Sequence, residues 1–526
     1  MREKIHNPVP VNAGIFFRSR AIIPDCTVAY KLIHCLMRTT TSFYSEEVTN
    51  GGHLGTVLTS SMQTIAMTAK KPMYDLHLPQ TDHPRVVVIG GGFGGINLVR
   101  HLDTRRFEVV LLDRYNYHTF QPLLYQVATA GLEPDSIAGP LRKIFRRTNG
   151  FHFRMLKVHR VEPDQNRVVT TAGPVPYDYL VIATGSSVNF FQNESIARHA
   201  YPVKQLTHAL DLRSEIFQQL EKLTILHRSD KDEALYTFVV VGAGPTGVEI
   251  CGALSELRRK VLPADYKDTG LQSIRIYLVE GLSRVLPQMS EESGRRARKY
   301  LEKMGVEVIL DTLTDSYDGS TVKLNNGRKI KSKTMIWAAG VKANSISGFA
   351  EETYARGKIR VNGINQVLNG ASPEQPLKNI FAIGDVAHME SERYPEGLPG
   401  LAPVAIQQGK LLARNLSALE RGKPARPFKY RDKGVMATIG RNRAVGDLPW
   451  GIKLSGFAGW FAWMASHLVF LIGFRNKAVV LINWIWNYIT YDRGIRIILR
   501  PSPKESDPIS REMAREMKES EGINSH

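Results

Sequence analysis

Cysteine is nearly absent from this chain: 526 residues hold only Cys26, Cys35 and Cys251. They are too few and too scattered for a disulfide framework or a cysteine metal site. From Pro84 onward Cys251 stands alone, with no C-x-x-C or C-x4-C pair, so a redox-active disulfide is excluded. Acidic residues are the second shortage: 50 Asp and Glu against 69 Lys and Arg leave a formal charge of +19. Such a surface suits nucleic acid or the anionic face of a bilayer. No zinc-finger spacing or nucleic-acid-binding signature is present, which argues against nucleic acid as a partner. Hydrophobic content of 43% and charged content of 23% mark a folded chain, and its length calls for two or three domains.

The first 83 residues lack a strand–helix pattern. Val28–Met37 is a short apolar run broken by Lys31 and His34, a poor secretory segment and a poor membrane span. Two readings stand: a transit-like presequence, or an upstream start ahead of Met62, Met67 or Met73.

What is present begins at Pro84. Arg85-Val-Val-Val-Ile89 is an apolar run suited to a strand buried on both faces of a parallel sheet. A glycine cluster and a helix-like stretch follow, then a strand over 108–112 that ends at Asp113. The same unit recurs: a strand over 238–241, a glycine-led helix extending through Leu257, a surplus stretch over 258–273, and a strand over 274–279 ending at Glu280. Two such units mean two nucleotide-binding domains. Tyr179–Gly185 and Thr334–Gly340 each read as a strand running into a tight glycine turn, and Ile380–Asp385 as a strand ending in Gly-Asp. The order is a nucleotide domain, an inserted nucleotide domain, then a return to the first.

Gly90-Gly-Gly-Phe-Gly-Gly95 fits G-x-G-x-x-G through Gly90, Gly92 and Gly95. The first glycine permits the tight turn, the second lets backbone approach a pyrophosphate, and the third lets helix pack on strand. Amides at the helix start then face the phosphates. Asp113 ends the next strand, where a carboxylate can accept from ribose hydroxyls. Gly242-Ala-Gly-Pro-Thr-Gly247 repeats the motif through Gly242, Gly244 and Gly247. Its acid, Glu280, favours the free 2′-hydroxyl of NADH over the 2′-phosphate of NADPH.

The run Asp113-Arg-Tyr-Asn-Tyr-His-Thr-Phe-Gln-Pro-Leu-Leu-Tyr-Gln-Val-Ala-Thr-Ala-Gly131 carries a resemblance. With Val241–Glu249, Phe381-Ala-Ile-Gly-Asp385 and Ala402-Pro-Val-Ala-Ile-Gln-Gln-Gly409, it resembles the type II NADH dehydrogenases, the non-proton-pumping NADH:quinone oxidoreductases. The likeness runs from about Pro84 to Arg500. It implies non-covalent FAD on the first loop, with Asp113 on the adenosine ribose, Asp385 at the ribityl and phosphate end, and Thr184 and Gly185 near the flavin. It implies NADH as substrate on the second loop, with Glu280 and Gly340. Glu249 is expected near the nicotinamide and isoalloxazine; its alternative reading is an acid in the first helical turn, stabilised by the helix dipole. The family's quinone-side pattern is Ala-Gln-x-Ala-x-Gln. This chain keeps Ala402, Ala405 and Gln407 and adds Gln408, but has Pro403 in place of the first Gln. Gln407 and Gln408 are expected at the acceptor; the alternative is that they merely lead a helix over the sheet. Lack of a cysteine pair separates this chain from the disulfide reductases and sulfide:quinone reductases of the same fold, and Cys251 reads as a packing residue.

Residues 421–433 carry six basic residues and one acid, and five of the six tryptophans fall between Trp450 and Trp486. Clustered Trp beside basic residues marks a bilayer interface. Phe457–Phe474 is at the short edge of a spanning length, with His467 inside it. In Ala478–Tyr491 the polar Asn483, Asn487 and Thr490 recur at helical spacing and leave a wide apolar face, with Arg475, Lys477 and Arg493 near anionic headgroups. Three readings compete: two amphipathic helices in one leaflet, a spanning hairpin, or a buried interface of a homodimer.

The expected fold is α/β: two Rossmann-type doubly wound dinucleotide-binding domains, the NADH domain inserted into the FAD domain, and C-terminal membrane-anchoring helices. Boundaries are an N-terminal extension over 1–83, FAD-binding parts over 84–197 and 345–430, an NADH-binding part over 198–344, a membrane-anchoring region over 431–500 and a tail over 501–526. The expected home is the cytoplasmic face of a bacterial inner membrane, with the mitochondrial inner membrane as the alternative. The rival readings are a soluble NADH-dependent reductase of a ferredoxin- or rubredoxin-like partner and a redox-sensing flavoprotein.

Overall fold

The computed structural model describes residues 74–225, 232–266, 274–370, 372–490 and 495–499; expectations for 1–73 and 501–526, and for Arg493, lie outside them. In chain order the framework is β1 (Arg85–Ile89), α1 (Phe93–His101), β2 (Glu108–Asp113), β3 (Phe151–Met155), β4 (Tyr179–Ile182), β5 (Tyr201–Pro202), β6 (Thr237–Val241), α2 (Pro245–Glu256), β7 (Arg275–Val279), β8 (Val306–Ile309), β9 (Thr334–Trp337), β10 (Ile380–Ala382), α3 (Ala402–Leu419), α4 (Gly456–Phe470) and α5 (Phe474–Thr490).

Two five-stranded sheets organise these elements. One has the order β10-β4-β1-β2-β3, the other β5-β9-β6-β7-β8. Every pairing in both is parallel, with Val86–Ile89 opposite Val109–Leu112 and Phe238–Val241 opposite Ile276–Val279. All strands of the second sheet fall in sequence between β4 and β10 of the first, so the chain leaves one sheet, builds another and returns. Unbroken Val, Ile and Leu runs suit this arrangement because each strand is buried on both faces.

The expectation that both sheets are doubly wound needs correction. The long helices cover one face, and an antiparallel sheet covers most of the other, joined in the second unit by Ile196 of the short helix Glu194–His199. In the first sheet Val86, Val88, Val109 and Val181 pack on Ile96, Leu98, Leu412 and Leu416 of α1 and α3. The opposite face, Val87, Val110, Leu180 and Ile182, packs on Val161, Val168 and Val175 of an antiparallel three-stranded sheet over residues 158–176. The second sheet repeats the scheme, with an antiparallel sheet over 314–331 contributing Tyr317, Val322, Leu324 and Ile330. Alternation explains the covers: Arg160, Arg167 and Val169 turn away while every buried position between them is Val, giving one apolar face.

Two boundaries also shift. The last ten residues of the supposed extension are part of the body: Leu76 and Leu78 pack on the first unit, and the Arg154 guanidinium donates to the Leu76 and His77 carbonyls at 2.6 and 2.8 Å. The second glycine-led helix does not stop at Leu257. It widens into a π turn over Leu257–Val261 and continues to Asp265, because Leu257, Val261 and Leu262 are buried and Pro263, lacking an N–H, disturbs the ladder it follows.

At the C-terminal end α4 and α5 form a hairpin broken at Gly473 (φ +88°). Fifteen residues of α4 rise about 22 Å, short of the ~30 Å hydrocarbon thickness. Among the described residues no helix is long and apolar enough to cross a membrane. Trp463 and Val480 sink into the core cluster of the second unit. The polar face of α5 turns inward: Asn476 donates to the Ala138 carbonyl at 3.1 Å, Asn483 to Glu133 Oε2 at 2.6 Å and Asn487 to the Gly131 carbonyl at 3.1 Å. The apolar stripe Ile482, Ile485 and Ile489 is left outside.

Candidate active site

β1 ends in a turn at Gly90 (φ +108°), whose N–H donates to the Leu112 carbonyl at 2.8 Å. A Cβ at Gly90 would lie 2.3 Å from the Ala183 carbonyl oxygen, and one at Gly95 would lie 2.0 Å from the Gly90 oxygen. Gly92 differs, because a Cβ there meets nothing within 4 Å. It caps α1 without a side-chain hydrogen bond, so the leading amides of the helix are free for an anion. The second loop matches. The Gly242 N–H donates to the Val279 carbonyl at 2.8 Å, a Cβ at Gly242 would lie 2.6 Å from Ala339 Cα, and one at Gly247 would lie 1.9 Å from the Gly242 oxygen. Gly244 is open and caps α2 in the same bare manner. Each loop thus has two glycines forced by packing and one left open.

Asp113 Oδ2 accepts the Gly91 N–H at 2.5 Å and Oδ1 accepts the Tyr115 N–H at 2.8 Å. Glu280 Oε2 accepts the Ala243 N–H at 2.6 Å and Oε1 accepts the Leu282 N–H at 3.0 Å. Burial pushes the Asp113 carboxyl up, and the Gly91 and Tyr115 amides oppose it. Its cleft therefore favours a group that can donate to this carboxylate.

The two units are stitched at their glycine turns. Thr184 Oγ1 donates to the Asn344 carbonyl at 2.7 Å, the Asn344 side-chain amide donates to the Thr184 carbonyl at 3.1 Å, and its backbone N–H donates to the Gly185 carbonyl at 2.9 Å. Ser186–Val188 pairs antiparallel with Val341–Ala343. A cleft of 710 Å³ runs along this seam. Gly90, Gly92, Asp113, Thr184, Gly185, Glu249, Gly340, Asp385, Ala402 and Ala405 are on its wall, whereas Gly95, Gly242, Gly244, Gly247 and Glu280 are not. Its shape and its open cradle at Gly92 fit an extended dinucleotide with a planar end group.

Glu249 sits in the second turn of α2, buried at the cleft wall. Burial pushes its carboxyl up to about 8, against the Thr438 amide and the Trp463 indole. The helix-dipole reading asks for an acid in the first turn, and the structure places Glu249 past it. Asp385 accepts from the Ser186 hydroxyl at 2.5 Å, with the Lys204 ammonium 4.0 Å away. Burial pulls Lys204 down and Asp385 resists.

Gln407 and Gln408 do not line the cleft. Gln408 is buried and accepts the Gly384 N–H at 2.8 Å. Gln407 accepts the Arg431 N–H at 3.1 Å and donates to its carbonyl at 3.0 Å. Both fasten α3 to neighbouring backbone. Pro403 stands at the second position of α3, where its missing N–H costs nothing, and its ring is on the cleft wall.

Sequence reasoning missed Lys204, Ser186, His118 and His467. His118 lies inside the 113–131 run; its Nδ1 is 3.0 Å from the Gly91 carbonyl, and burial pulls it down to about 4. His467 reaches the wall from α4, its Nδ1 2.7 Å from the Trp463 carbonyl and its ring stacked 4.0 Å from that indole. Burial pulls it to about 4 as well. A polar residue inside an apolar run was the available signal. Cys251 is buried in the α2 interior and burial pushes its thiol up, consistent with packing.

Residues 84–409 match the family described as pyridine nucleotide-disulphide oxidoreductase, and 433–491 match the NDH2 C-terminal domain. A type II NADH:quinone oxidoreductase of Mycobacterium tuberculosis is 36% identical over 423 residues, 78% of this chain and 89% of that protein. A mitochondrial protein of Solanum tuberosum named internal alternative NAD(P)H-ubiquinone oxidoreductase A1 is 30% identical over 76% of this chain and 86% of its own length. Among solved structures, NDH2 of Plasmodium falciparum in complex with NADH has the same fold (TM-score 0.71, 21% identity, 79% of this chain and 100% of that one). Sulfide:quinone oxidoreductase of Aquifex aeolicus shares it less closely, at a TM-score of 0.58 and 20% identity over 77% of this chain and 95% of that one. With paired glycine loops on one seam, no second cysteine among residues 84–409 and matches along both segments, this chain belongs to the type II NADH:quinone oxidoreductases of the pyridine nucleotide-disulphide oxidoreductase family.

Proposed function

We propose that the protein oxidises NADH through non-covalently bound FAD and delivers two electrons to a membrane quinone without pumping protons. The observation that carries this reading is the open glycine cradle at Gly92 on a cleft along the Thr184–Asn344 seam, which the second loop's helix reaches through Pro245 and Thr246 and whose wall holds no cysteine. FAD bound there supplies the hydride-accepting ring and returns its electrons in turn.

The chain's own residues do the rest. Gly92, the α1 amides and Asp113 bind the FAD pyrophosphate and ribose, with Asp385 at the ribityl end and Thr184 and Gly185 beside the ring. Gly244, Glu280 and Gly340 hold NADH. Glu249, protonated at pH 7, keeps a proton at its carboxyl oxygen where a reduced acceptor needs one. Ala402, Pro403 and Ala405 leave a side-chain-poor wall for a flat acceptor. Gln407 and Gln408 act indirectly, by fixing α3.

The C-terminal hairpin lies in one leaflet of a respiratory membrane. Supporting this, Phe457, Phe461 and Val469 on α4 and the three α5 isoleucines are exposed together, and Trp450 is 95% exposed at a hairpin tip. With the asparagines turned inward, the outward face is apolar, as a helix in the acyl boundary requires. Lys433 over the Phe470 ring, Arg475 and Lys477 suit anionic headgroups.

Purified protein should be yellow and oxidise NADH with a soluble quinone analogue. Removing 450–500 should abolish membrane binding and quinone turnover; if quinone turnover survived, a soluble reductase of a protein partner would replace this reading.

A further inference from the structure

Between the seam strand 186–188 and the short helix Glu194–His199 lies a loop that the chemistry above does not use. Phe191 (φ +50°) and Gln192 (φ +61°) are consecutive non-glycine residues in the left-handed region. L side chains avoid that region, and a pair of them in tandem persists only where surroundings impose it. The imposing contacts are clear. The Asn189 carbonyl accepts the Trp337 indole N–H at 2.8 Å, Asn189 Oδ1 accepts the Phe191 N–H at 2.9 Å, and the Asn189 N–H donates to the Gly340 carbonyl at 3.1 Å. On the far side Asn193 caps the helix through its Oδ1 and donates to the Asp315 carbonyl at 2.7 Å.

What this frame holds out is a phenyl ring. Phe191 is 61% exposed, although a ring of that size normally seeks cover. Its tip lies against Gly340, where an added Cβ would come within 3.0 Å of Cζ, and its ring stands edge-on to Trp337 at 6.3 Å. Gly340 and Trp337 are on the cleft wall, with Val341, itself exposed, beside them. Trp337 ends β9, next to β6, Gly340 and Val341 follow it in the chain, and Gly242 of the second loop packs directly on Ala338 and Ala339. Ligands of open α/β sheets bind at these strand ends.

We infer that Phe191 is a positioning residue that grips the nicotinamide dinucleotide: its ring, held out by the strained Phe191–Gln192 pair, closes over the nucleotide where it passes Gly340. The inference rests on the NADH reading of the second loop and adds a residue to it. An exposed ring that gains a face on binding, with its loop already ordered, contributes affinity at little entropic cost.

The test uses full-length, flavin-loaded protein and NAD+ as a non-reducing probe, titrated by calorimetry. Phe191→Ala should weaken NAD+ binding about tenfold, and Phe191→Tyr should restore it. Gln192→Gly, which relaxes the strain but keeps the ring, should weaken it by a smaller factor. In turnover with a soluble quinone analogue, Phe191→Ala should raise KM for NADH while kcat stays within twofold. Flavin content and circular dichroism serve as folding controls, and variants that fail them are replaced by Phe191→Leu, which should fall between Ala and the native protein. Unchanged NAD+ affinity in Phe191→Ala overturns the inference while the NADH reading stands. Failure of the native protein to bind NAD+ at all overturns both.

Discussion

Asp113 and Glu280 perform the same structural act in the two halves of this enzyme: each closes a glycine loop by accepting the N–H of the residue after its first glycine, at 2.5 and 2.6 Å. Each also accepts the N–H two residues downstream. The two acids sit 23 and 38 residues after their loops, so sequence spacing conceals an equivalence that the sheets make plain.

On the proposed function, Glu280 is assigned the choice between the two nicotinamide dinucleotides. Glu280→Ser should raise the ratio of kcat/KM for NADPH over NADH at least tenfold by removing a carboxylate that repels a 2′-phosphate. Steady-state kinetics with both substrates measure it. Native protein that already used NADPH as well as NADH would contradict the assigned role.

The glycines of the first loop should separate by mechanism. At Gly92 an alanine Cβ meets no protein atom, so Gly92→Ala should fold with an unchanged melting temperature yet lose flavin. At Gly95 the same change drives a methyl into the Gly90 oxygen, and Gly95→Ala should fail to accumulate as soluble protein. Flavin absorbance per mole of folded protein distinguishes them.

The Glu249 carboxyl is raised by burial, so the unfolded chain releases its proton first. The stability associated with the neutral group is complete below pH 4.5 and is lost as pH rises toward about 8. Glu249→Gln should therefore melt at a higher temperature than the native protein at pH 8.5, with the gap shrinking at pH 5, while quinone turnover falls. A gap independent of pH would show that the group is ionised in the folded state.

Asp447 ties the C-terminal region to the second unit. It accepts the Ser290 N–H at 2.6 Å and the hydroxyls of Ser290 and Ser293 at 2.9 and 2.8 Å, at the start of the helix Glu291–Lys303. Burial raises its carboxyl, but these donors outweigh it and hold the group below the usual carboxylate value. Asp447→Ala should cost about 1–3 kcal/mol, read from chemical denaturation. The native advantage should shrink as pH falls through the acid range, since protonation removes the acceptor.

Membrane attachment through the outward stripe predicts that Ile482→Asp with Ile485→Asp abolishes sedimentation with phosphatidylglycerol vesicles. NADH oxidation with a soluble quinone analogue should persist, because neither side chain reaches the cleft. Sedimentation unchanged from the native protein would point to a second copy of the chain as the cover of that stripe.

The sequence by itself marked the central strands of both sheets, both glycine loops and their closing acids, because these depend on local runs: apolar strands, glycine spacing, a carboxylate at a strand end; the strands over 151–155, 201–202 and 306–309 went unread. It also showed that residues 84–409 hold a single cysteine, Cys251. Only tertiary structure decided which residues meet across distance. The Val161–Val175 cover replaces helices on one face because a short antiparallel sheet with alternating valines buries the same surface, and the chain's periodicity there is too brief to stand out. Gln407 matches a motif and Gln408 follows it, yet their amides are spent on Arg431 and Gly384. The α5 asparagines read as the polar side of an interfacial helix until Gly131 and Glu133, some 350 residues away, prove to be their partners. Helical spacing fixes that such residues share a side; packing alone fixes which side faces the protein and which the lipid.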